Sequence, residues 1–310
     1  MKKIVTILTG LMLIFYGCTT QTTNKPEDKE IKIKQPTKHY LSENDMQDYI
    51  NDEINLAIDM GNEFILKDAA NALNDTRNVM EAIRNKNYRE ARERLTQAMG
   101  KTKLLLAGSN TKALASITVE INQGVKNVNE AYQLINEIDS LVSNKEYQKA
   151  RNLMPLLSNE ILITRESLLI NKFDEVLKRA DQVFRAKEYE KAFQELNGLT
   201  TTTSFEYTVI PLPVIKAEKM IAEAAILLNK EDIEYNNIEI LLDNAMYEIE
   251  FTELLGYGKQ ETDFKTLIKK IENLKKSVSE KNDAVLKEDM KDLNESITQT
   301  KEGFTEVESK

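Results

Sequence analysis

The sequence predicts an all-α protein of stacked antiparallel helical hairpins, and three observations carry that prediction. The first is composition: ten Gly, five Pro and no Trp in 310 residues favour long helices over turn-rich sheets. The second is an internal repeat, in which Asn85-Lys86-Asn87-Tyr88-Arg89-Glu90-Ala91 returns as Asn144-Lys145-Glu146-Tyr147-Gln148-Lys149-Ala150 and again as Ala186-Lys187-Glu188-Tyr189-Glu190-Lys191-Ala192. The third is a rhythm of apolar residues, spaced alternately three and four apart after each tyrosine, which is one stripe of a helix.

The first 17 residues read as an export signal: the charged Met1-Lys2-Lys3, an apolar run from Ile4 to Tyr16, and Gly17 before Cys18. A membrane span needs about 20 apolar residues; this run is shorter and is diluted by Thr6, Thr9 and Gly10, so its removal is expected. Cys18 is the only cysteine, and its place directly after the run resembles a lipobox, with Phe15 and Tyr16 standing where Leu and a small residue are usual. Its thiol is expected to carry lipid and hold the protein to a membrane. Thr19 is not an inner-membrane-retaining aspartate, which favours a periplasm-facing position on the outer membrane over the inner one. Residues 18–40 are Thr, Gln, Lys, Glu and Pro with few apolar side chains, too polar to offset ordering entropy, and are expected to form a disordered tether extended by Pro26 and Pro36.

A helical domain is expected over residues 41–258. Tyr88, Ala91, Leu95, Ala98, Thr102 and Leu105 form one stripe, and Tyr147, Ala150, Met154, Leu157, Ile161 and Thr164 read as a second. Tyr189, Ala192, Leu196 and Leu199 form a third; Tyr235, Ile238, Leu242, Ala245, Ile249 and Thr252 follow with a longer lead-in after Asn229-Lys230. Each Asn-Lys-x-Tyr is read as the turn of an αα-hairpin, with the tyrosine locking the second helix to the first and its hydroxyl at a polar rim. Between the third and fourth copies, residues 200–213 are β-branched and extended, and Pro211 and Pro213 can open a helix but not continue one. Residues 259–310 are expected to form a C-terminal helical hairpin or coiled-coil arm, with a weaker stripe through Leu286, Met290, Leu293, Ile297 and Phe304.

Several chemistries are disfavoured. The net charge of −9 argues against nucleic acid as a partner. His39 is the only histidine and falls in the tether, so no His-based triad or His-metal cluster can be assembled. Glu248, Glu250 and Glu253 beside Tyr247 are the remaining candidates for a hydrolytic carboxylate pair, but acids are so common here that a solvated helix face explains them better. No catalytic residue, cofactor or metal ligand is assigned, and the protein is expected not to be an enzyme.

From about Asn74 to Thr252 the order of pieces resembles the YfdX family of exported bacterial proteins. The matching stretches are Val79 to Ala107 around Asn-Lys-Asn-Tyr, Asp181 to Glu195, the Ile210-Pro211-Leu212-Pro213 segment, and Leu227 to Glu250. The hairpin turns alone would equally suggest tetratricopeptide repeats, but Tyr88, Tyr147, Tyr189 and Tyr235 are unevenly spaced and do not keep a period of about 34 residues. The resemblance implies a helical, extracytoplasmic protein associated with stress responses and without an established enzymatic activity. The expected function is therefore that of a lipid-anchored envelope protein that binds or scaffolds, with a homo-oligomer or an envelope protein as partner. The alternative is a tetratricopeptide-like subunit of an envelope assembly machine.

Overall fold

The structure, a computed structural model, describes residues 33–108, 111–258, 261–304 and 307–308. The signal segment, Cys18 and most of the tether lie outside the described residues. Residues 33–40 form neither helix nor strand, yet they touch the body: Ile33 packs against the cluster of Val125, Val128, Ala131, Tyr247 and Phe251, and the Lys38 carbonyl accepts a 3.1 Å hydrogen bond from Asn244 Nδ2. Asn244 is buried and needs such an acceptor. Helix α1 (Glu43–Glu63) then opens on a capping box, in which Ser42 Oγ accepts from the Asp45 amide and Asp45 Oδ2 accepts from the Ser42 amide.

The repeat motif builds hairpin corners. Helices α2 (Lys67–Arg84) and α3 (Tyr88–Ala107) flank the first, α4 (Val128–Ser143) and α5 (Tyr147–Leu153) the second, and α6 (Ile170–Arg185) and α7 (Tyr189–Asn197) the third. At each corner the lysine is left-handed, with φ of 56° at Lys86, 62° at Lys145 and 63° at Lys187. The next amide then reaches back five residues: Asn87 to Ala82, Glu146 to Leu141 and Glu188 to Val183, at 2.8, 2.8 and 3.1 Å. That bond closes the helix as a Schellman motif, and the following tyrosine is the first residue of the next helix. Helices α8 (Leu212–Leu228) and α9 (Tyr235–Leu254) are joined by the longer corner the sequence predicts. The hairpin of α10 (Glu261–Glu280) and α11 (Asp283–Glu302) uses the short corner again, with Lys281 at φ 54° and Asp283 in the tyrosine's place.

The chain is mostly helical, as expected, but it also holds a sheet that the apolar rhythm did not predict. Strands β1 (Lys112–Gln123), β2 (Asn159–Leu169), β3 (Thr203–Pro211) and the two-residue β4 (Val307–Glu308) run antiparallel in that spatial order. The second stripe is thereby corrected: α5 stops at Leu153, residues 154–157 form a 3-10 turn, and Ile161 and Thr164 lie in β2. Pro155 cannot donate to an α-helix, and the residues beyond it alternate, with Ile161 and Ile163 buried on one side. Ile161 and Ile163 pack with Ile50 of α1 and with Leu212 and Ile215 of α8, so α1 and α8 cover that face of the sheet. Of residues 200–213, expected to be extended, Thr203–Pro211 form β3 and run into α8, with Pro211 before the helix and Pro213 in its first turn, while Thr200 and Thr201 belong to a 3-10 turn.

Three consecutive hairpin-then-strand units result: α2-α3-β1, α4-α5-β2 and α6-α7-β3. Because β2 runs against both neighbours, β1 and β3 start at the same end of the sheet. The first and third hairpins therefore meet at that end, and the second stands at the other. There α3 packs on α6 and α2 on α7, around Leu95, Phe173, Leu177 and Leu196, all buried. The last two hairpins pair in the same crosswise manner, α9 on α10 and α8 on α11, over a second core of Ile221, Leu242, Ile271 and Met290. The segment expected as a C-terminal hairpin or arm thus forms a hairpin that shares the core of α8 and α9.

Candidate functional site

Crosswise pairing brings corners together. The rings of Tyr88 and Tyr189 stack with centroids 3.7 Å apart and planes 10° from parallel, and Phe184 meets Tyr189 edge-on at 5.0 Å. Such a pair contributes roughly 0.5–1.5 kcal/mol beyond its burial. Arg84, Lys86, Lys187 and Lys191 surround the stack together with Glu188 and Glu190, lining a concavity of about 500 Å³. At the other junction the Tyr235 hydroxyl donates 2.6 Å to Asp283 Oδ1, which holds the hydroxyl's pKa above its ordinary value, and Lys281 lies 5.4 Å from the ring centroid. Tyr88, Tyr189 and Tyr235 are half-buried rims over buried cores, and Asp283 is exposed. The helix contact below each corner comes from the residue three further on: Ala91, Ala150, Ala192 and Ile238 are all buried.

Tyr147 is placed differently, with 59% of its surface exposed. Its hairpin touches the rest of the protein mainly where α4 begins, the Tyr247 hydroxyl accepting from the Val128 amide at 3.2 Å and Phe251 packing below. Beyond that point Val142, Met154 and Leu156 are exposed at 40, 50 and 50%. The α4–α5 hairpin therefore presents an apolar face that the corresponding hairpins cover. Gly124 lets it sit close to the sheet, since a Cβ there would lie 2.0 Å from the Leu156 carbonyl oxygen.

Polar networks join the elements elsewhere. Lys301 of α11 donates to Glu218 Oε2 of α8 at 2.6 Å and to Glu53 Oε2 of α1 at 3.1 Å, while Thr298 donates to Glu218 Oε1 at 3.0 Å. Burial works to lower the Lys301 pKa, but the two carboxylates prevail and raise it. Asp75, buried in α2, takes Lys101 at 2.7 Å and Arg94 at 3.4 Å from α3. Arg77 holds Glu166 of β2 with both oxygens within 3.1 Å, and Ser116 of β1 donates to the same carboxylate at 3.0 Å. Sequence reasoning missed these networks, because their partners are far apart along the chain.

Of the three carboxylates near Tyr247, Glu248 stands apart, while Glu250 and Glu253 share one side of α9. Glu248 is pushed above the ordinary carboxylate range by burial, with Lys216 pulling the other way, and its Oε2 is buried with no hydrogen-bond partner among the described residues. Glu250 is raised by burial first and then by Glu253 and Glu272. At 100° per residue, positions 248 and 250 point to opposite sides of α9, so their environments differ and no shared water or substrate site lies between them.

Hairpin-then-strand units and crosswise pairing define a helical-repeat protein with a small antiparallel sheet. Its family resemblance is found in the same region: residues 72–202 match the family model described as YfdX protein. This part of the chain, from within α2 to just before β3, is YfdX-like; the Ile210–Pro213 segment and the last two hairpins lie beyond it. A solved structure of YfdX from Salmonella Typhi is similar at 10% identity and a TM-score of 0.32, covering 48% of this chain and 93% of that one. No curated protein matches.

Proposed function

We propose that this chain is a lipid-anchored, YfdX-like protein of the bacterial cell envelope that works by binding rather than catalysis, as a stress-related scaffold whose contact surface is the α4–α5 hairpin. The observation that supports the reading most directly is the exposure of Val142 and Tyr147 on that hairpin and of Met154 and Leu156 in the 3-10 turn that ends it. Apolar side chains exposed singly need no explanation, but several on the one hairpin that no other hairpin covers suit an interaction surface. Cys18 carries the anchor, the tether holds the body facing the periplasm, and the outer membrane is the favoured location. The tether adds reach, and the chain as a whole is acidic, so its net charge does not draw it to anionic lipid.

Two measurements test this reading. Cys18→Ser should abolish fatty-acid labelling and move the protein to soluble fractions; persistence in the membrane would show that the apolar run is retained instead. A photo-crosslinking residue at position 147 should capture protein in growing cells, while one on the exposed surface of α2 at Glu81 should not. Equal yields at both positions would remove the case for α4–α5 as the contact surface.

A further inference from the structure

Among the described residues the chain holds five corner-type hairpins, and four of them are paired. The first pairs with the third and the fourth with the fifth, each time with the opening helix of one against the closing helix of the other. The α4–α5 hairpin is the odd one. Counting from each corner shows what the pairing buries. Five residues before the tyrosine position stand Ile83, Phe184 and Val278, exposed by 6, 5 and 3%, whereas the equivalent Val142 is exposed by 40%. Seven residues after it stand Leu95, Leu196, Leu242 and Met290, exposed by 1, 0, 0 and 2%, whereas the equivalent Met154 is exposed by 50%. Twelve before, Thr76, Leu177 and Ile271 are fully buried while Ile135 is only half-buried. An apolar side chain thus occupies the position seven after the corner on all five hairpins and the position five before it on four of them, and only on α4–α5 does it lack a cover.

We propose that the cover is a second copy of this chain, its α4–α5 hairpin packed crosswise on the first about a two-fold axis, with Tyr147 stacked on Tyr147 as Tyr88 stacks on Tyr189 within the chain. This rests on the reading of α4–α5 as the contact surface and adds the partner. Charge singles out a second copy. Helix α4 carries Glu130, Glu137 and Asp139 and no Lys or Arg, and α5 carries Lys149 and Arg151 and no acid. Crosswise packing sets α5 of each copy against α4 of the other, so each basic helix meets an acidic one. The internal pair supplies the register: Arg92, four residues after its tyrosine, reaches Asp181, eight before its own, at 4.0 Å across the α3–α6 contact. Arg151 stands four residues after Tyr147 and Asp139 eight before it. A two-fold axis forms that ion pair twice, and a self-complementary patch of this kind closes as a dimer instead of propagating.

The test uses the full-length chain purified in detergent and analytical ultracentrifugation at micromolar concentration. The wild type should sediment as a dimer. Met154→Lys should weaken dimerisation by at least about 100-fold, as expected for a charge placed in an interface core, with the helical circular dichroism unchanged because the side chain is already exposed. Asp139→Arg and Arg151→Asp should each weaken it about tenfold or more, because each sets like charges opposite one another. Mixing the two variants should restore a dimer, since the mixed pair regains opposite charges at both contacts. A monomeric wild type, an oligomer indifferent to Met154→Lys, or a mixture that stays apart would overturn the proposal. Crosslinks from position 147 in cells separate the two readings. Capture of other envelope proteins by a monomeric chain leaves α4–α5 as a contact surface without the dimer, and no capture at all removes both.

Discussion

The left-handed lysines offer a quantitative check on the corner geometry. Lys86, Lys145 and Lys281 have φ of 56, 62 and 54°, where Cβ crowds the following carbonyl and a non-glycine residue costs about 1–2 kcal/mol. Glycine removes that crowding but loses about 0.4–1 kcal/mol through the greater freedom of its unfolded chain. Each Lys→Gly change should therefore stabilise the protein by about 0.5–1 kcal/mol. The three corners belong to different hairpin groups and share no partner, so the triple variant should gain about 2 kcal/mol. Urea unfolding followed by circular dichroism would read this as a higher midpoint at unchanged slope. Lys→Ala at the same corners removes the charge and keeps the Cβ, so it should bring no such gain. A glycine series that is neutral, or an alanine series that stabilises equally, would refute the argument, because the effect would then come from charge and not from backbone.

Other outcomes follow from the polar and aromatic contacts. Lys301→Met should destabilise by about 3 kcal/mol, because Glu218 is left buried without its cation, and Glu218→Gln in the same chain should recover part of the loss. Burial raises the folded-state pKa of Glu248 above the ordinary 4.5, so the penalty on its charged form is absent at lower pH and develops as pH climbs through the folded value. Glu248→Gln should accordingly match the wild type in acid and exceed it at neutral pH by unfolding midpoint. Tyr88→Leu should cost roughly 0.5–1.5 kcal/mol through loss of the ring stack, while Tyr88→Phe should cost less, since the stack needs the ring. Ser42→Ala should cost about 1 kcal/mol by removing the cap of α1.

Features settled within a few residues were legible in the sequence. The corners were, because a Schellman turn is a local bond from Asn87 to Ala82, and the apolar rhythm on either side of it is local too. The break at Ile210-Pro211-Leu212-Pro213 was legible because proline fixes φ and removes a donor whatever surrounds it. Strand β2 was misread since Ile161 and Thr164 happen to continue the three-and-four spacing, although Pro155 already interrupts the helix in the sequence; pairing with β1 and β3 then makes the residues beyond it a strand. The carboxylates near Tyr247 looked adjacent because the sequence does not say which side of α9 faces α8 and which faces α10.

By itself, then, the sequence determined where helices turn, which side chain lies below each corner, and the YfdX resemblance, though it carried that resemblance on to Thr252 where the family match ends at residue 202. The tertiary structure decided which hairpins meet. That choice depends on strand direction: β1 and β3 start at one end of the sheet, which joins the first and third hairpins and leaves the second apart. Nearly the same motif therefore buries Leu95 and Leu196 yet exposes Met154, a difference set by what packs on each hairpin and not by the residues within it.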